Sequence, residues 1–205
     1  MIHVDLKPEP SDFDINIRKK GQRFLSKTPC PTNKQWKNHS YWRKALKQIH
    51  NAYNGICAYS CHWIPFDTGS DTIDHFMPKS TQPLMAYEWE NFRLVCGTLN
   101  GRKGIRPILD PFQISTGWFV LDFPSLLVKS AENIDPMLAS SVNLTCITLG
   151  LNDEGSCLKA RIRYIRDYCK GYISFEYLRR DAPFIANEIE RQGLITSLPN
   201  LMQFS

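Results

Sequence analysis

With 205 residues, 42% of them hydrophobic, the chain is long enough to bury a core of its own. A net charge of +5 is only mildly basic, and seven cysteines, odd in number and unevenly spread, argue against a disulfide framework. No apolar run reaches membrane-spanning length, and Met1 to Pro8 carries no basic start followed by an apolar stretch, so no membrane association or secretory signal is read and a cytoplasmic location is expected.

Residues 1 to 32 read as irregular. Pro8, Pro10, Pro29 and Pro31 bracket them, and proline removes a backbone donor and disfavours helix in the residue before it. From about Ser40 to Tyr53, Trp42, Leu46, Ile49 and Tyr53 follow helical spacing while Arg43, Lys44 and Lys47 fall largely on the other side, and Gly55 supplies a stop. Residues 56 to 105 break into short pieces, with Asp67-Thr68-Gly69-Ser70 suited to the tip of a hairpin. Trp118 to Phe123 and Leu126 to Val128 predict strands interrupted by Pro124. Further on, Leu158, Ile162, Ile165 and Cys169 form one helical stripe, and Phe184, Ile185 and Ile189 another, both expected in the core. The sum is an α+β chain in three parts: a basic extension and helix over 1–54, a compact core over 55–112 and a mostly helical region over 113–205.

The charge is unevenly placed. Between Asp14 and Asp67 no acidic residue occurs, while Arg18, Lys19, Lys20, Arg23, Lys27, Lys34, Lys37, Arg43, Lys44 and Lys47 do, with Trp36, Tyr41 and Trp42 among them. Lysines and arginines near phosphates displace counterions, and aromatic rings stack on unpaired bases, so this stretch suits a polyanion. The alternative is a solvated helix face whose tryptophans turn into the core, the reading preferred for Trp42.

Ile73-Asp74-His75-Phe76-Met77-Pro78-Lys79 is followed sixteen residues after His75 by Asn91, and then by Asn100-Gly101-Arg102-Lys103. Asp-His, then Asn, then Asn-x-x-Lys, in that order over residues 56 to 104, resembles the HNH (ββα-metal) endonuclease family. That resemblance implies a small hairpin-plus-helix nuclease core. In it Asp74 and Asn100 hold one divalent cation, Mg2+ or Mn2+, His75 is the general base, and Asn91 braces the loop that holds the histidine. Ile108 to Phe112 with Trp118-Phe119 is also similar to extended HNH proteins found with ATPase partners in bacterial anti-phage systems of the Septu and retron-linked kind.

The residue chemistry agrees with the resemblance. An imidazole with a pKa near 6.5 takes a proton from water at neutral pH, provided a backbone carbonyl orients its ring. A carboxylate and an amide oxygen are ligands for a hard cation, which polarises a phosphoryl oxygen. Lys103, one helical turn past Asn100, and Arg102 are expected to contact phosphate or else lie on a solvated face, and Lys79, Arg43, Lys44 and Lys47 extend the set of nucleic-acid-binding candidates.

Many HNH proteins carry a structural zinc between two Cys-x-x-Cys pairs. Here Cys57 and Cys61 have three residues between them instead of two and Cys96 has Leu99 where its partner would be, so these, with His62, are weak ligand candidates and no structural zinc is expected. The functional expectation is an endonuclease acting on DNA, with an ATPase partner in a defence complex. The alternative is a catalytically silent nucleic-acid-binding or assembly subunit that docks to such an ATPase.

Overall fold

The structure, a computed structural model, describes residues 1–202. Its helices and small antiparallel sheets make an α+β architecture, distributed over two compact units. One, the motif unit, comprises Asp5–Cys57 and Ile64–Ile105; the other, the C-terminal unit, comprises Met1–Val4, Ala58–Trp63 and the chain from Arg106. The expected basic extension and compact core thus lie largely in the same unit.

The motif unit opens differently from expectation. Residues 1 to 32 are not irregular throughout: a wide π-helical stretch at Asp14–Arg18 runs straight into α1 (Lys19–Leu25). The prolines sit outside this helical stretch, while Phe13, Ile17, Phe24 and Leu25 bury one face of it. Gly21 is required there, because a Cβ would fall 2.1 Å from the ring of Tyr87. Helix α2 (Asn33–Asn38) starts on a capping box, Thr32 accepting from the Gln35 amide while the Gln35 side chain accepts from the Thr32 amide. A 3-10 turn at Tyr41–Ala45 leads into α3 (Leu46–Ala52), which buries Ile49 and leaves Arg43, Lys44 and Lys47 exposed, as the spacing predicts. Asn54 and Gly55, both at positive φ, end it.

Strand β1 (Asp71–His75) pairs antiparallel with β2 (Phe92–Cys96), Ile73 opposite Leu94 and His75 opposite Phe92, and β2 runs directly into α4 (Gly97–Lys103). The Asp67–Ser70 turn does form, but it leads into β1 rather than joining two strands. The two strands are instead connected by a long excursion containing 3-10 turns at Pro83–Tyr87 and Trp89–Asn91.

In the C-terminal unit the two expected strands form, β3 (Phe119–Asp122) and β4 (Leu127–Ser130), and they pair antiparallel across the turn that holds Pro124. Helix α5 (Pro136–Leu149) is capped by Asp135 and stopped by Gly150 in the left-handed region. Then follow α6 (Cys157–Cys169), α7 (Phe175–Asp181), α8 (Pro183–Arg191) and α9 (Leu198–Met202). The α8 stripe Phe184, Ile185, Ile189 is core, as predicted. The α6 stripe is core only in part: Ile165 faces inward with Cys157 and Arg161, Leu158 and Cys169 are half-buried, and Ile162 is 38% exposed. Arg161 turns the helix this way, because it donates to the carbonyls of Leu126 and Leu151 and binds the Asn152 side chain. No helix among the described residues is long and apolar enough to cross a membrane.

Candidate active site

Asp74 and His75 close strand β1, where both side chains are buried, 4% and 6% exposed respectively. Neighbouring strand residues ordinarily face opposite ways. Here both nonetheless line one cavity of about 750 Å³ within the motif unit, together with Asn100 from α4, Trp36, Trp42 and Leu46 from the basic segment, and Lys79 from the loop after β1. The strand ends at His75, and the following amide, Phe76, donates to the Asn91 carbonyl.

The histidine ring is fixed in one orientation. Its Nε2 lies 3.0 Å from the Ala86 carbonyl oxygen, which only accepts, so Nε2 carries the proton and Nδ1 is the bare, accepting nitrogen. Edges of Trp42 and Phe92 hold the ring from two sides, at 4.8 and 5.4 Å between centroids. Burial drives its pKa down from 6.5 to about 3, with the nearby Lys79 and Lys103 charges adding to the effect, so the ring is neutral at physiological pH.

Asn91 is a brace. Its carbonyl accepts from the Met77 amide at 2.7 Å, and its amide donates to the carbonyls of Met77 and Met85 at 3.0 and 2.9 Å. It ties both ends of the excursion between the strands, and Ala86, the carbonyl that orients His75, follows Met85 directly. Asn100, in the middle of α4, points its amide nitrogen at the Thr72 hydroxyl and the Ile73 carbonyl. The amide end is therefore spent, and the carbonyl oxygen is the end left for a ligand.

Lys103 differs from both sequence readings. It is 1% exposed, and its ammonium sits 3.0 Å from one oxygen of Asp74, 3.3 Å from the other and 3.1 Å from the His75 carbonyl. One helical turn after Asn100 is the right spacing to reach β1, but the side chain packs along Phe76 rather than toward solvent. Arg102 is half-buried. Arg43 and Lys79 line the cavity, Lys79 half-buried with its ammonium over the Trp42 ring, while Lys44 and Lys47 are exposed on the helical segment. Trp36 and Trp42 are buried, which agrees with the core reading of Trp42 and takes their faces away from solvent.

Sequence reasoning missed two groups here. Asp71, at the start of β1, also lines the cavity, and its Oδ2 is buried with no hydrogen-bond partner among the described residues. Arg93, opposite Asp74 in the ladder, is buried and donates to the Glu90 and Phe92 carbonyls. A charge in a strand otherwise made of Phe, Leu, Val and Cys was the available signal for Arg93. As donors for a hard cation, the Asp74 carboxylate, the Asn100 carbonyl oxygen and the desolvated Asp71 oxygen have the right chemistry, all on one cavity. Cys57 and Cys61 are buried, Cys96 partly so, and no set of three or more His, Cys, Asp or Glu side chains converges among the described residues.

Over 116 residues the chain is 28% identical to Septu protein PtuB of Bacillus thuringiensis. The matched stretch is 54% of this chain and 42% of the relative, so the chain spans less than half the relative's length. No family model matches the chain.

Proposed function

We propose that the chain is a metal-dependent HNH-type endonuclease that hydrolyses phosphodiester bonds, acting as an effector subunit of a bacterial anti-phage defence system with an ATPase partner. The observation that carries the chemistry is the His75 ring: one nitrogen is committed to the Ala86 carbonyl, and the other is unprotonated, on the same cavity as two oxygen-donor side chains. The likeness to Septu protein PtuB supports the defence role.

In this reading His75 Nδ1 accepts the proton of the water that attacks phosphorus, and Nε2–H keeps the ring aimed while the charge passes to it. A pKa near 3, set first by burial, makes a weak base, and the negative charge of a phosphodiester entering the cavity opposes the part that Lys79 and Lys103 add. Asp74 and Asn100 would hold Mg2+ or Mn2+, which supplies Lewis-acid polarisation of the phosphoryl oxygen and stabilises the leaving 3′ oxygen. Lys103 holds the Asp74 carboxylate in place, and Lys79 and Arg43 draw the phosphate in.

A second reading is favoured by one observation. The Lys103 ammonium reaches both Asp74 oxygens, so the carboxylate is already neutralised, which suits a subunit that is silent alone and active only within a complex. One experiment covers both: plasmid, single-stranded DNA and RNA incubated with Mg2+ or Mn2+, with wild type and His75→Ala, with and without candidate ATPase partners. Metal-dependent cutting that falls by about 100-fold or more in the variant is expected. Wild-type inertness on every substrate, in every metal and with the partner present would end the hydrolase reading.

A further inference from the structure

We infer that this cavity admits one unpaired nucleic-acid strand, with the nucleotide beside the reacting phosphate drawn into the recess, and excludes an intact duplex; the inference rests on the reading of Asp74, His75 and Asn100 as the reacting site. Recess is the first reason. Asp74 and His75 are almost wholly buried, with Asn100 and Lys79 half-buried beside them, so the reacting bond must come inward to reach the histidine and the carboxylate. In a regular duplex each phosphate is backed by its own stacked base and the partner strand, and enzymes that must take a base into a pocket act on unpaired strands or extrude the nucleotide.

Size is the second reason. About 750 Å³ is far more than a phosphate group needs and falls within the roughly 300–1,000 Å³ of pockets that enclose a whole small ligand. A protein that only tracks phosphates from outside a duplex requires no such enclosure.

The lining is the third. Trp36, Trp42 and Leu46 give an apolar wall from the helical segment, and Arg43 and Lys79 put positive charge on the same cavity as His75. A nucleotide has matching halves, an apolar flat base and an anionic phosphate. The two tryptophans are buried too deeply to offer free stacking faces, so they act as walls, and selectivity comes from enclosing the base rather than from sequence-specific contacts.

A basic surface without this recess would prefer the duplex, whose charge density is higher and which releases more counterions per contact. Preference for the unpaired strand is therefore diagnostic. The test uses the whole wild-type chain in EDTA, so that nothing is cut, and fluorescein-labelled strands of about 16 nucleotides. Anisotropy titrations compare a DNA strand, the RNA of the same sequence and each paired with its complement, at matched salt. The unpaired strand is expected to bind about tenfold tighter than its duplex, the size of effect that enclosing one base gives, and the DNA and RNA arms show whether the sugar matters.

Leu46→Trp fills the cavity at a half-buried position outside the reacting set, and it should erase the preference while leaving the melting temperature unchanged. If that variant does not fold, Ile105→Trp at the exposed rim makes the same test. Equal or tighter duplex binding, or a preference that survives a folded cavity-filling variant, overturns the inference. Added Mg2+ separates the two readings. Cutting a duplex stem as fast as an unpaired loop sinks strand selectivity and leaves the hydrolase standing. Strand-selective binding with no cutting of any kind, with the partner added as well, sinks the hydrolase and leaves the selectivity.

Discussion

Both units bury histidine, His50 and His75 in one and His62 in the other, and His75 and His62 make a natural comparison. His75 in the motif unit and His62 in the C-terminal unit are both pushed to a pKa of about 3, in both cases first by burial. By that measure they are alike. They differ in where their nitrogens go: His75 Nε2 donates to a carbonyl and the ring lines a large cavity, whereas His62 Nε2 is buried without a partner among the described residues, its ring tilted against Tyr164 at 5.3 Å. The C-terminal unit spends its other buried charges on structure. Arg161 holds two carbonyls, and Glu188 accepts from the Leu121 amide of β3 and from Gln192. A perturbed pKa therefore marks burial, and only a committed nitrogen beside an accessible space marks a candidate base.

The sharpest way to break this contrast is substitution of both histidines in the same cleavage assay. His75→Ala should lower the rate by about 100- to 10,000-fold, the span of general-base contributions, while His62→Leu stays within about twofold of wild type. Comparable losses in the two variants, each melting as wild type does, would erase the distinction.

Next in size is Lys103, which the motif unit buries against Asp74. Lys103→Met leaves the carboxylate without its cation and should destabilise the fold by about 3 kcal/mol, read as a lower urea midpoint. Adding Asp74→Asn should recover most of that loss, because the uncompensated charge goes with it. A Lys103→Met protein as stable as wild type would mean that the pair contributes little. Asn91→Ala comes third: it strands the Met77 amide and two carbonyls, at a cost of about 2 kcal/mol, and should slow cleavage by loosening the segment that carries Ala86. Unchanged cleavage in that variant would separate the brace from the orientation of His75.

How much of this was legible follows the range of each signal. The order Asp74, His75, Asn91, Asn100 could be read because spacing along the chain survives folding, and the α8 stripe because period and burial agree there. The helical run before Leu25 is masked by its flanking prolines, although Phe13, Ile17 and Phe24 lie at helical intervals. Lys103 defied its residue type, since a lysine enters a core only when a carboxylate is waiting, and Asp74 is 29 residues away. Arg161 goes against its residue type in the same way, its guanidinium held by the carbonyls of Leu126 and Leu151 one position before Ile162 of the apolar stripe. The division into two units, with Ala58–Trp63 belonging to the later one, left no trace in composition.

The smallest effect concerns acid, and it isolates the histidine that does no chemistry in this account. In the unfolded chain His62 takes up a proton near pH 6.5, but in the folded unit burial and the Arg161 charge hold that step down to about 3. Between those values the unfolded state binds the extra proton, so stability rises with pH across the window, is complete above it, and drains away as pH falls toward 3. Carboxylates titrate over part of the same range, so the contribution must be read as a difference. Urea midpoints at about pH 7, 5.5 and 4.5 should fall more steeply for wild type than for His62→Leu, which also removes a buried nitrogen that has no partner. Parallel slopes would mean that His62 reaches solvent or a donor in the folded protein, and the comparison of the two rings would then have to be drawn on the cavity alone.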